Sequence, residues 1–160
     1  MGQKAAQEKT FSNIQILNMC GLPFLKLIFV TNTKGEAEMI QPHFDEKLNL
    51  TTFVVSDRVT AAEIEEQVKT LYRGKPSLHA MWDFTEGDVS VLSPADISGI
   101  AQFVKTASHS RSGGRTALVF PTTMLTEMAP LLESISEIEV PDAKIKIFND
   151  LGAALTWIKA

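Results

Sequence analysis

From about Leu48 onward, short segments rich in β-branched and aromatic residues alternate with single amphipathic helical patterns. Parallel strands cannot be joined by a tight turn and need a crossover, so this alternation commits the chain to an α/β sheet with mostly parallel pairing. The predicted order is ββαβαβαβα, a mixed sheet of about five strands. A strand over Met39–Phe44, a polar turn at Asp45-Glu46-Lys47 and a strand over Leu48–Ser56 read as a hairpin that supplies an antiparallel edge.

The helix boundaries are written in capping chemistry. Thr60-Ala-Ala-Glu63 is a capping box, followed by the stripe Ala61, Ile64, Val68 and Leu71, with Glu65 and Lys69 as an outward pair. Arg73-Gly74-Lys75-Pro76 ends that helix, and Leu78–Phe84 reads as a buried strand with Glu86-Gly87-Asp88 opening a loop. Ser93-Pro94-Ala95-Asp96 supplies an N-cap, an N1 proline and an N3 acid for a second helix, whose stripe is Ile97, Ile100, Ala101 and Val104. A strand over Arg115–Phe120 precedes a third helical pattern carrying Met124, Leu125, Met128, Leu131, Leu132 and Ile135. Pro130 should kink or restart that helix. Lys144–Phe148 is the last strand, and Asn149 or Asp150 caps a final helix through Leu155, Trp157 and Ile158.

Composition narrows the function. With fifteen Lys and Arg scattered among nineteen acids and a net charge of −4, the chain lacks the cationic stripe that nucleic acid demands. A single cysteine, Cys20, excludes an internal disulfide and a cysteine-rich metal site, and fits a reducing, cytoplasmic setting. Residues 1–38 are set apart as an N-terminal extension. Their apolar stretch, Ile14–Val30, is interrupted by Gln15, Asn18, Gly21, Pro23 and Lys26, so it reads neither as a membrane span nor as a signal peptide, and membrane contact is not expected. The extension is taken either as a tail or as an upstream mis-start, with Lys34-Gly35-Glu36 coded by a ribosome-binding stretch and translation opening at Met39.

Several residues invite a functional reading beside a structural one. Asp83 lies at the expected carboxyl end of a parallel strand, where open α/β sheets place ligands, and would otherwise bond loop amides. Ser93 caps a helix, a position that also welcomes a phosphate, and Ser98 shares that reading. Arg111, Gly113, Gly114 and Arg115 form a turn that could hold an anion, although its glycines lead into a strand, unlike a P-loop. No Gly-x-Ser-x-Gly elbow is present, and His43, His79 and His109 sit on different elements, so neither catalysis nor a metal is expected. No cofactor is implied.

Three segments carry a resemblance. Trp82-Asp83-Phe84, the run Arg111-Ser-Gly-Gly-Arg-Thr-Ala-Leu-Val119, and Phe148-Asn-Asp150 followed by Ala154-Leu-Thr-Trp157-Ile158 resemble the SpoIIAA-like family, related to the STAS domains of anti-sigma-factor antagonists and more distantly to CRAL-TRIO lipid-binding folds. Over residues 39–160 this implies a STAS-like fold, a cytoplasmic bacterial setting and a non-enzymatic role. Antagonist domains switch partners by phosphorylation of a Ser in an Asp-Ser-Ser-Gly-like turn. Here the matching region, Ser93-Pro-Ala-Asp-Ile-Ser-Gly-Ile100, keeps only Asp96, Ser98 and Gly99 of that pattern. The expectation is a regulatory domain that docks a protein around Asp83, Ser93 and Ser98, with homodimerisation as a further option. The alternative is a carrier of a lipid or other apolar ligand, with Met124, Met128 and Leu132 lining a pocket under the third helix.

Overall fold

The computed structural model describes residues 39–136 and 138–160. The N-terminal extension, with Cys20 and the apolar stretch, lies outside the described residues. Five strands run β1 (Ile40–Asp45), β2 (Leu50–Arg58), β3 (His79–Asp88), β4 (Gly114–Val119) and β5 (Ala143–Phe148). The helices are α1 (Ala61–Tyr72), α2 (Pro94–Ala107), α3 (Thr122–Glu127), α4 (Ala129–Ser136) and α5 (Leu151–Lys159), with a 3₁₀ turn at Ser108–Arg111. The sheet follows chain order, β1-β2-β3-β4-β5, antiparallel only between β1 and β2.

The fold is therefore the α/β mixed sheet that the alternation predicts, with the order ββαβαβααβα. The one added element comes from the third helical pattern. It breaks at Met128, and α4 restarts with Pro130 in its first turn, where a missing N–H leaves no bond unmade. Both expected helix caps form, and both are capping boxes. The Thr60 and Ser93 hydroxyls accept the amides of Glu63 and Asp96, whose carboxylates accept the cap amides in return. These bonds hold the Glu63 and Asp96 carboxyls below their ordinary pKa values.

β3 runs four residues past Phe84, the predicted end. A bulge near Val54–Ser56 resets its register with β2, and Glu86, Gly87 and Asp88 then pair with Ser56, Asp57 and Arg58. The polar Glu-Gly-Asp run looks like a turn but serves as strand because β2 continues alongside it. Gly87 is needed there: a Cβ would lie 2.9 Å from Val55 Cγ1.

The two faces of the sheet are built differently. The register row Phe53–Trp82–Leu118–Ile147 lies under α1, α2 and α4, and Thr52–Met81–Ala117–Lys146 occupies the other face. Ala117 and Ala154 are fully buried on that second face, and these small side chains let α5 lie close against β4. The first face carries a thick aromatic layer. Phe53 stacks on Trp82 at 4.3 Å, Trp82 lies 6.0 Å from Phe84, and Phe84 stacks on Phe120 at 4.7 Å. Helix α2 has α1 and α4 as its nearest backbone neighbours and meets the strands through its side chains, with Ile97 in the core and Ile100 and Val104 packed against it.

Candidate functional site

Beneath α2 lies a cavity of about 110 Å³. Its floor is Trp82, Phe84 and Phe120 of the aromatic layer, with Leu118. Its roof is the apolar stripe of α2, Ile97, Ile100, Ala101 and Val104, and its flanks are Ile64 and Val68 of α1 with Leu131 and Ile135 of α4. The stripe read from the sequence as core packing thus faces a hollow. Side chains that border such a hollow lose part of the dispersion contact that close packing would give them.

One end of the cavity is polar. Arg111, Tyr72 and Thr116 reach it from three elements, and their groups are bonded to one another. Arg111 is only 2% exposed. Its Nε donates to the Ser77 carbonyl at 3.0 Å, and its Nη2 to the carbonyls of Leu78 at 3.1 Å and Arg115 at 3.4 Å. Its Nη1 donates to the Tyr72 hydroxyl at 3.2 Å and to Thr116 Oγ1 at 3.3 Å. All of these acceptors are neutral, and no ion pair reaches this guanidinium among the described residues.

The turn read as a possible anion site is thus divided between two tasks. Arg111 turns inward on the α2 side. Arg115 turns to the α5 side, where its Nη1 donates to the carbonyls of Trp157 at 2.8 Å and Ile158 at 3.1 Å and caps the end of α5. The Gly113 amide donates to the Asp142 carbonyl at 2.8 Å, and Gly114 is buried. Neither an outward pair of guanidiniums nor a ring of free amides remains there.

The other candidate residues are not brought together. Asp83 shares its face with Met81, opposite α2, and its Oδ1 accepts the Thr85 amide at 3.0 Å and the Thr85 hydroxyl at 2.6 Å within the bulge. Ser93 and Ser98 belong to the α2 side. The Ser93 hydroxyl is tied to Asp96 Oδ2 at 2.7 Å, so a phosphate there would meet a carboxylate. Ser98 is exposed and donates to the Pro94 carbonyl at 2.9 Å. Met124 and Met128 rim a surface groove with Asp88, Ser90 and Leu92, and Leu132 packs against the main core. None of these three lines the interior cavity. The restart at α4 shifts the helical phase, so Leu131 and Ile135 face inward in their place.

His79 lies on the α5 side, where its Nδ1 accepts the Arg115 amide at 3.2 Å. Burial, followed by the charges of Arg115 and Arg111, holds its imidazole below the ordinary value of 6.5. The unfolded chain therefore takes up a proton at His79 first as pH falls through 6.5, and stability drops until the folded imidazole titrates too. His79→Asn keeps an acceptor for Arg115 but does not titrate. The fall in Tm between pH 7 and pH 5 should be smaller in this variant than in the parent, and equal slopes would remove His79 from the account.

Among the described residues no group of three or more His, Cys, Asp or Glu could hold a metal ion, and no helix is long and apolar enough to cross a membrane. No family model and no curated protein matches the chain.

Proposed function

We propose that residues 39–160 form a non-enzymatic binding domain, akin to the SpoIIAA-like and STAS-related proteins, that takes up a small apolar molecule between the sheet and helices α1, α2 and α4. The hollow under α2 carries this reading. Its lining is aliphatic or aromatic apart from one polar end, which is the usual design of a small-molecule site. A cavity of about 150 Å³ lined by such side chains stays dry and accepts benzene, so a hollow of comparable size offers the same driving force to a compact ligand. The kinship rests on the five-stranded mixed sheet and on the three motifs named above.

Hexan-1-ol is a suitable first probe. At saturation it should raise the Tm of the full chain by ~5 °C, because binding to the folded state alone stabilises by mass action. Ala101→Phe fills the hollow from the roof and should remove that shift. An unchanged Tm in the parent protein would sink the proposal.

Docking of a partner protein is the second reading, and one observation favours it. Val91, at 49% exposure, stands just before the α2 cap, with the exposed Ser98 one turn into the helix. Ser98→Asp should weaken a partner while leaving hexan-1-ol binding untouched, which separates the two readings.

A further inference from the structure

The polar end of the cavity is built asymmetrically. Nε and Nη2 of Arg111 anchor the guanidinium to three main-chain carbonyls, which hold it in place regardless of what the cavity contains. The Nη1 edge instead meets two hydroxyls, and both belong to side chains that line the cavity. Each hydroxyl oxygen accepts from Nη1, and its own O–H proton has no acceptor among the described residues. The permanent cation thus lies behind two hydroxyl donors, with its carbon 5.5 Å from the centroid of the Tyr72 ring and no carboxylate paired with it among the described residues.

We infer that the ligand of this cavity is a short-chain monocarboxylate, whose two oxygens accept from Tyr72 and Thr116 in front of the Arg111 guanidinium while its hydrocarbon tail lies along the aromatic floor. This inference rests on the binding function proposed above. A carboxylate matches the site in three respects: it supplies the missing negative charge, it has two acceptor oxygens for two donors, and it needs no donor of its own. A buried cation without a counter-ion carries a desolvation penalty that a bound anion relieves. A neutral alcohol or ester relieves none of it.

The tail is set by shape. Along β4 the lining runs from Thr116 through Leu118 to Phe120, a rise of about 13 Å at the usual strand spacing. A volume of about 110 Å³ distributed along such a floor is a narrow slot, suited to a straight chain. The chain would pass over Leu118 and Trp82 toward Phe84 and Phe120, away from the guanidinium.

Two probes of equal chain length, sodium hexanoate and hexan-1-ol, test this in the full chain. Trp157→Phe leaves Trp82, which lines the cavity, as the single tryptophan reporter. Hexanoate should bind about tenfold or more tightly than hexan-1-ol, the scale of a charged hydrogen bond added to equal apolar contact. Arg111→Gln should erase that preference, with hexan-1-ol affinity showing that the cavity persists. Because that variant also loses anchors and can fail to fold, the carboxyl ¹³C signal of labelled hexanoate gives a second measurement on the unaltered site. Its titration should be displaced to lower pH on binding, since the guanidinium favours the ionised form. Equal affinities, or a bound carboxyl that titrates at or above its free value, would overturn the carboxylate assignment while leaving the apolar binding function standing. Failure of both probes to bind overturns both.

Discussion

Gly114→Ala is expected to cost the domain ~4 kcal/mol or more, enough to unfold a protein of ordinary stability. A Cβ at this position would fall into the space of the Leu78 carbonyl and come within 2.7 Å of the Arg111 carbonyl. Both obstacles are main chain and cannot rotate away. The start of β4 would have to move away from the segment that enters β3, drawing Arg111 off the Ser77 and Leu78 carbonyls that anchor it. Its neighbour is the internal control. Gly113 has φ +79° with open space around a would-be Cβ, so Gly113→Ala meets conformational strain alone and should cost ~1 kcal/mol. Urea denaturation of the two variants checks the contrast, and similar midpoints would show that the close approach at Gly114 is not limiting.

Trp82→Ala should be nearly as severe, at ~3–5 kcal/mol. The indole is 4% exposed, lies in the central strand, and links Phe53 to Phe84 in the aromatic layer. The cost will depend on how far the layer collapses, because Trp82 already borders a void. If the space stays open, the cavity grows, and probes larger than hexan-1-ol, such as octan-1-ol, should gain affinity over it. Thermal melts with and without each alcohol read both effects. A loss below about 1 kcal/mol would mean that the layer repacks and that the hollow is not held open by rigid walls.

Most of the scaffold was legible in the sequence, because the signals that set it are local. Thr60 with Glu63, and Ser93 with Asp96, announce their helix starts by chemistry within four residues. Pro130 announces a restart. Glu86-Gly87-Asp88 reads as a loop in sequence, because its strand character comes from β2 alongside it, which no window around Phe84 contains. The site was hidden for the same reason. Arg111, in a Ser-Gly-Gly turn, has the composition of an exposed corner, and its burial depends on the Ser77 and Leu78 carbonyls more than thirty residues away. The stripe of α2 marks its inward face, yet periodicity cannot distinguish a closely packed face from one that borders a hollow. Pro130 predicts that the third helical pattern restarts but not the phase in which it resumes, so Met124 and Met128 rim the surface groove while Leu131 and Ile135 take the inward positions.

The sheet order repeats the chain order from β1 to β5. During synthesis the β1–β2 hairpin therefore emerges before β3, and each later strand finds its neighbour already in place at the advancing edge. No strand must wait for a distant one or be inserted between two that have already paired. Each parallel pairing therefore closes a single crossover, the smallest loop that a parallel neighbour allows, which limits the time that unpaired edges stand open to other chains.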